Sequence, residues 1–596
     1  MISLLAKLLA LPSGGVKLRM AALLPAMLVA SVLELAGFGL LVTLLNSLLG
    51  AAPVAGGATG WASGLLQAMN AWTFAIAIVM FFAIKNMALL AIGYLTSRVA
   101  NDGLSEFLSS LYARYLGQPY VAHLGRNSAE MINHLSTSAP IAFDSIRLML
   151  ELVMEVLLSV VTLGLLLSVK PGLTVISAVS LLTVGLIFHK VSSPIFRRWG
   201  AQGYGHELEA LTVAKESLAA IKEVLVSGSQ DHFVHRFRAE VHARGRLQSL
   251  ASLNLSTARL FVETLMVVGI GGLVIWARET GQPTVETASI VSMFGIAAMR
   301  LMPSASRILS SLAELRRRTT VIEKLHAELH RPVQADPAPP AAAADGAEAA
   351  ICLDDVHYRY PGSSADTLTG ISVSIAHGQA VGLVGSSGAG KSTLVDVILG
   401  LLTATAGRVL VNGQPARHPA MALGVGYVPQ HVAVLDDSIR RNVAFGLDDH
   451  VIDEPAVWRA LGQAQLEEVV RAMPDGLDSR LGERGARLSG GQRQRIGIAR
   501  ALYGDPAILI LDEATSALDS ETEQAVVGAI DSLRGSKTLV IIAHRLSTVR
   551  HCDRLLFLAD GAVADSGTFA ELELRVPLFR AMVEKSMLTP AGDARK

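Results

Sequence analysis

Six predominantly apolar runs, at residues 18–48, 72–95, 146–169, 173–189, 258–276 and 288–312, constrain what the first half of this chain can become. A helix needs roughly 20 apolar residues to cross a hydrocarbon core of about 30 Å. Within lipid its backbone N–H and C=O groups find no water, so each run has to satisfy them internally as helix. Only Lys170, Pro171 and Gly172 join the third run to the fourth, which makes that connection a tight turn. At 596 residues, with 51% hydrophobic and 17% charged residues and the apolar excess ending near residue 315, the chain exceeds a single core. The expected first domain is an all-α six-helix transmembrane domain over 1–330.

The basic residues orient it. The connections after the second and fourth runs carry Arg98, Arg114 and Arg126, then Lys190, Arg197, Arg198, Lys215, Lys222, Arg236, Arg238, Arg244 and Arg246, whereas 50–71 carries no Lys or Arg. The long connections and both termini are therefore expected in the cytosol. Each long connection continues as amphipathic helix and breaks, at Gly117-Gln118-Pro119 and at Gly228, where short crosswise helices near 117–124 and 217–227 fit. Outside, Trp61, Leu65, Leu66, Met69 and Trp72 suit either a helix resting on the outer leaflet or a plain loop. Residues 1–11, with Lys7 inside a short apolar run and no small-residue cleavage site, read as an amphipathic helix on the inner leaflet rather than a signal peptide.

Net charge is zero, so no global field draws nucleic acid. Cys352 and Cys552 have neither zinc spacing nor a disulfide framework and read as core cysteines. A Pro/Ala-rich linker spans 331–350, a second domain 351–587, and a short tail 588–596.

In that second domain an apolar strand pattern at 380–384 runs directly into Gly385, Ser386, Ser387, Gly388, Ala389, Gly390, Lys391, Ser392 and Thr393, and then into an apolar helical stretch at 394–402. Glycines there let backbone N–H groups close around phosphate oxygens at a helix N-terminus. Lys391 reaches the β- and γ-phosphates and Ser392 holds magnesium. A second apolar strand, 507–511, ends in Asp512 and Glu513, two carboxylates at the sheet edge. Asp512 suits magnesium, and Glu513 suits polarising the water that attacks the γ-phosphoryl group. Acidic pairs at strand ends are also often mere caps. Between the strands lie Leu488, Ser489, Gly490, Gly491 and Gln492, running straight into a helix with Arg493, Arg495 and Arg500 along it.

With this ordered set the segment from 351 to about 587 resembles the ATP-binding-cassette family, and six spans followed by one cassette resemble its exporters. The resemblance implies an α/β P-loop cassette with a mixed sheet and a helical signature subdomain, using ATP and Mg2+. It further implies that Tyr360 stacks on adenine, that Gln430 senses magnesium and the membrane helices, that Asp519 follows the acidic strand as a nucleotide-site residue, and that His544 contacts the γ-phosphate. In this family Ser489 and Gly491 lie against the nucleotide held by the other subunit, so a homodimer with two hydrolysing sites is expected. One departure stands out: Ser479, Arg480, Leu481 and Gly482 occupy the place of the usual Thr-Glu-Val-Gly, which puts the usual salt-bridged crosstalk with cytosolic helices in doubt.

Four basic residues, Lys85, Arg259, Arg300 and Arg307, fall within the apolar runs. Each costs about 2.5 to 3.5 kcal/mol at a helix centre, so they are expected to face the bundle interior as a substrate cavity. Guanidinium forks there suit a phosphate or pyrophosphate headgroup taken from the inner leaflet. Glu34, Glu151, Glu155 and Glu263 lie near enough to neutralise them in structural pairs instead. Residues 118–124, 127–132 and 221–224 look like the bacterial flippases for lipid-linked oligosaccharides, which implies a bacterial inner-membrane protein moving an amphipathic, anionic lipid-linked substrate. An exporter of hydrophobic peptides or drugs, or an ATP-gated channel, remains the alternative.

Overall fold

The computed structural model describes residues 2–48, 71–169, 171–279, 284–331, 349–416, 423–513, 520–543 and 545–587. The outer segment at 61–69, most of the 331–350 linker, the tail and two site residues, Asp519 and His544, lie outside these. The chain divides into two compact units, one of residues 1–118 with 125–333, the other of 119–124 with 334–596.

The first unit is helical. It begins with α1 (Ile2–Ala10), whose Leu4 and Leu8 are buried while Lys7 reaches Glu323 at 3.4 Å. The apolar runs lie in α2 (Gly14–Leu48), α3 (Ala71–Leu116), α6 (Ala139–Val169), α7 (Pro171–Ala219), α9 (Gln230–Glu279) and α10 (Thr284–Arg317). Short helices α5 (Ser128–Asn133) and α8 (Ile221–Val226) punctuate them, and α11 (Thr319–Leu329) closes the unit. Among the described residues, Gly14–Leu41, Trp72–Leu116 and Ser128–Leu167 are long and apolar enough to cross a membrane. At about 1.5 Å per residue, the 50-residue α9 and 49-residue α7 far exceed a bilayer's thickness.

The stretches beyond the apolar runs are held by ion pairs, among them Arg236 to Glu209 at 2.6 Å and Arg318 to Asp144 at 2.7 Å. Burial by itself would raise the Glu314 carboxyl, but the guanidinium groups of Arg317 and Arg318 hold it below the usual carboxylate range. Close backbone approach fixes one crossing. A Cβ on Gly200 of α7 would sit 1.7 Å from the Arg317 carbonyl oxygen of α10.

The second unit includes the crosswise helix expected near 117–124, here α4 (Tyr120–Leu124). It is built on two sheets. Strands β1 (Ala349–Tyr358), β2 (Leu368–Ala376), β4 (Ala406–Val411) and β5 (Gln414–Pro415) form an antiparallel sheet in the order β2-β1-β4-β5. The central sheet runs β10-β9-β3-β8-β7-β6, from β3 (Ala380–Gly385), β6 (Val425–Val428), β7 (Ile508–Asp512), β8 (Thr538–Ile542), β9 (Arg554–Ala559) and β10 (Ala562–Gly567). All its pairings are parallel except that of β10 with β9.

Strand periodicity divides the core. Val384, Leu509, Leu511, Leu539 and Ile541 point to one face, where helix α13 (Gly490–Leu502) and the helix Glu454–Gln463 cover them. Val381, Leu383, Ile508, Ile510, Val540 and Ile542 point to the other, against α12 (Lys391–Ile398) and the antiparallel sheet. Both faces being covered explains why these strands are apolar without alternation. Val121 of α4 packs at the edge of the second cluster.

Candidate nucleotide site

The phosphate loop turns β3 into α12 within a few residues. Gly385 leaves the strand at φ 150°, where a Cβ would come within 2.2 Å of the Leu558 carbonyl oxygen. Gly390, at φ 95°, caps α12, and a Cβ there would press to 2.8 Å on Leu368. The first turn of α12, whose opening N–H groups have no intrahelical acceptor, thus follows directly on Ser386, Gly388 and Ala389.

Lys391 is 7% exposed, and its Nζ donates to the carbonyl oxygens of Gly385 and Ser386, both at 2.9 Å. Burial lowers its pKa, an effect that Glu513 and Asp512 oppose. The ammonium is therefore held across the loop by acceptors a phosphate can replace. Ser392 is exposed, and the Thr393 hydroxyl lies 3.2 Å from that of Tyr360, whose ring meets Tyr358 edge-on at 5.0 Å.

Parallel pairing of β7 with β8, and of β8 with β3, sets Asp512 near this loop. Glu513 follows in the left-handed region, φ 48°, with its N–H donating to the Ile542 carbonyl at 3.0 Å. Such a backbone costs a non-glycine residue on the order of 1 kcal/mol, strain typical of residues that function fixes in place. Gln430, just beyond β6, donates from Nε2 to Glu513 Oε2 at 2.6 Å.

Two groups unmarked by any motif join the site. The Tyr427 hydroxyl donates to Asp512 Oδ2 at 3.5 Å, and burial, then Asp512, raises its pKa. Burial, then Asp512, pushes the Asp396 carboxyl of α12 up to about 6. These residues lie on β6 and α12, and nothing local in the sequence brings them to Asp512.

Ser489 begins α13 with a capping box. Its hydroxyl accepts from the Gln492 N–H at 3.2 Å, and Gln492 Oε1 accepts from the Ser489 N–H at 2.9 Å. Gly490 and Gly491 form the first turn. Among the described residues no hydrogen bond or ion pair joins 488–492 to 385–393. One chain therefore gathers Tyr360, the phosphate loop, Gln430, Asp512 and Glu513, and holds the signature on a separate helix. Arg480 is exposed, fixed by its backbone through a bridge to Ser438.

Of the four intramembrane basic residues, Lys85 is buried and pairs with Glu34 at 3.2 Å, its Nζ 4.3 Å from the Phe82 ring centroid. Arg307 pairs with Glu155 at 2.7 Å while remaining 53% exposed. The side chains of Arg259 and Arg300 lie outside the described set.

A family model described as ABC transporter matches residues 368–516. The ATP-dependent lipid A-core flippase of Cupriavidus metallidurans is 33% identical, covering 84% of this chain and 85% of its own length. That of Albidiferax ferrireducens is 30% identical over 85% and 87%. Among solved structures, a bacterial Atm1-family ABC exporter with ATP bound superposes with a TM-score of 0.78, covering 98% of this chain and 100% of its own, at 23% identity. That last likeness speaks to the fold.

Proposed function

The chain belongs to the ABC transporter family, as an ATP-driven translocase whose apolar helical half and cassette share one polypeptide, and we propose that two copies of it flip a phosphate-bearing glycolipid across the bacterial inner membrane. The observation that carries the substrate is the name borne by relatives that match most of the chain, lipid A-core flippase. The pairing of Lys85 with Glu34 narrows the cavity expected from the sequence. What remains of it centres on Arg307, anchored by Glu155 yet half exposed, with Arg259 and Arg300 assigned to it from their place in the apolar runs. A guanidinium steadied on one side by a carboxylate offers its other donors to a phosphate.

In the cassette, Tyr360 stacks on adenine and the loop from Gly385 to Thr393 cradles the phosphates, with Lys391 exchanging carbonyl oxygens for phosphate oxygens. The Ser392 hydroxyl, the Gln430 amide oxygen and the Asp512 carboxylate are the hard oxygen donors that suit magnesium. When bound, magnesium draws off charge developing on the phosphate oxygens. Glu513, held by Gln430, polarises the attacking water, and His544 contacts the γ-phosphate. Ser489 and Gly491 of the other copy, with Asp519, complete each site. ATP then favours the paired cassettes; inverting a hundredfold bias takes about 5.5 kcal/mol of differential affinity, which hydrolysis withdraws.

ATPase activity in nanodiscs tests the substrate. A polyprenyl-pyrophosphate sugar and a lipid A-core glycolipid are compared with a neutral amphiphile. Stimulation by a phosphorylated lipid, lost in the Arg300→Ala, Arg307→Ala double variant, supports the proposal and shows which lipid class is preferred. Equal stimulation by the neutral amphiphile, unchanged in the variant, rejects it in favour of a drug or peptide exporter.

A further inference from the structure

Between α5 and α6 the helix widens into a single π turn, His134–Ser138. Such a turn takes in one residue more than the α turn it replaces, and it is found mostly where function needs it. Its first residue, His134, is 4% exposed. The ring Nδ1 lies 3.0 Å from the Tyr115 hydroxyl near the end of α3, whereas Nε2 is buried with no hydrogen-bond partner. Across the turn, Asn133 Nδ2 donates to Ser138 Oγ at 3.5 Å. The Tyr204 hydroxyl of α7 is buried and faces both Asn133 and Ser138.

The charged groups facing the imidazole are already committed to one another. They are Glu130 of α5, Arg126 just before it, and Lys324 and Glu328 of α11. Arg126 pairs with Glu328 at 3.0 Å, and Lys324 approaches Glu130 at 3.8 Å. The set sums to zero. From α3 and α7 come the tyrosines Tyr115 and Tyr204, and α6 opens on apolar residues, its first charged group being Asp144, which is engaged by Arg147 and Arg318.

We propose that Tyr115 and His134 form a proton-operated latch on this π turn, closed while the ring is neutral and opened by a proton on Nδ1. In the closed form the Tyr115 O–H donates to Nδ1, so Nε2 carries the ring's hydrogen. A proton taken from solvent onto Nδ1 turns that acceptor into a donor. The Tyr115 hydrogen then loses its acceptor, and the ring becomes a buried cation with no uncommitted carboxylate. The turn yields by passing its extra residue along the helix, which turns the residues it passes by about 100°. Because α6 carries one of the apolar runs, the latch makes the helical half responsive to acid independently of the cassette.

The full chain in nanodiscs provides the test, by hydrogen–deuterium exchange of peptides covering 128–139. Because burial lowers the pKa of this ring, exchange is measured at about pH 7.5 and about pH 4.5, the lower value set well below the ordinary imidazole range, and normalised to intrinsic rates. The wild-type segment is expected to exchange about threefold faster or more in acid, as local opening becomes easier. His134→Gln, which cannot take the proton, abolishes that response. Tyr115→Phe, which removes only the hydroxyl, raises exchange already at the higher pH. A wild-type segment indifferent to pH overturns the proposal, and so does an acid response that His134→Gln retains. Should His134→Gln fail to fold, Tyr115→Phe decides alone, since exchange identical to wild type at both pH values also overturns it.

Discussion

Lys391 and Glu513 owe the roles proposed for them to neighbours in the chain: a glycine-bearing strand-to-helix turn for the one, an apolar strand ending in two acids for the other. Asp396 does not, because its environment comes from β7 meeting α12. Its carboxyl, pushed up to about 6 by burial and then by Asp512, makes stability depend on pH in a definite direction. The folded form binds the proton more tightly than the unfolded chain. The stability this contributes is whole below the ordinary aspartate range and is lost as pH rises through about 6. Asp396→Asn keeps the neutral form at every pH. Without nucleotide or magnesium, the variant is expected to gain on wild type by about 1 kcal/mol between about pH 5 and about pH 8, the partial exposure of the group discounting the full linkage value. Thermal unfolding across that range checks it. A stability difference that stays constant with pH would remove Asp396 from this role.

Helices and strands were legible as apolar periodicities, yet where they touch was not. The crossing of α7 with α10 rests on Gly200, whose absent side chain admits the Arg317 carbonyl. In the sequence Gly200 is one of several glycines in a helical pattern. Gly200→Ala inserts a methyl group where a backbone oxygen lies, and overpacking of this kind costs about 1 to 3 kcal/mol. The expected outcome is a Tm lower by several degrees in a scan of the detergent-solubilised chain, with nucleotide binding by the cassette retained. An unchanged Tm would mean that α7 and α10 do not meet there. The π turn at His134 is equally silent in the sequence, since its residues read as continuous helix.

For the whole molecule, the separation of the signature from the phosphate loop within one chain is the physical reason to expect a pair. Glu513→Gln keeps the shape and the Gln430 contact while removing the charge proposed to polarise water. With magnesium and ATP this variant should accumulate as a paired form, read as a cross-link between cysteines placed at Ser489 of one copy and Ser386 of the other. No cross-link above the nucleotide-free level would remove the shared-site mechanism.

By itself the sequence determined the class of the protein. Runs of about 20 apolar residues have no solution in lipid but helix, and a phosphate loop, an acidic strand end and a signature in that order carry their chemistry in local backbone geometry. Tertiary structure decided which charges remain available. Lys85 is matched by Glu34 and Arg307 by Glu155, each pair joining two different helices. It also decided that Tyr427 and Asp396 stand beside Asp512. These are contacts between elements, and spacing along one element carries no information about the face another presents to it.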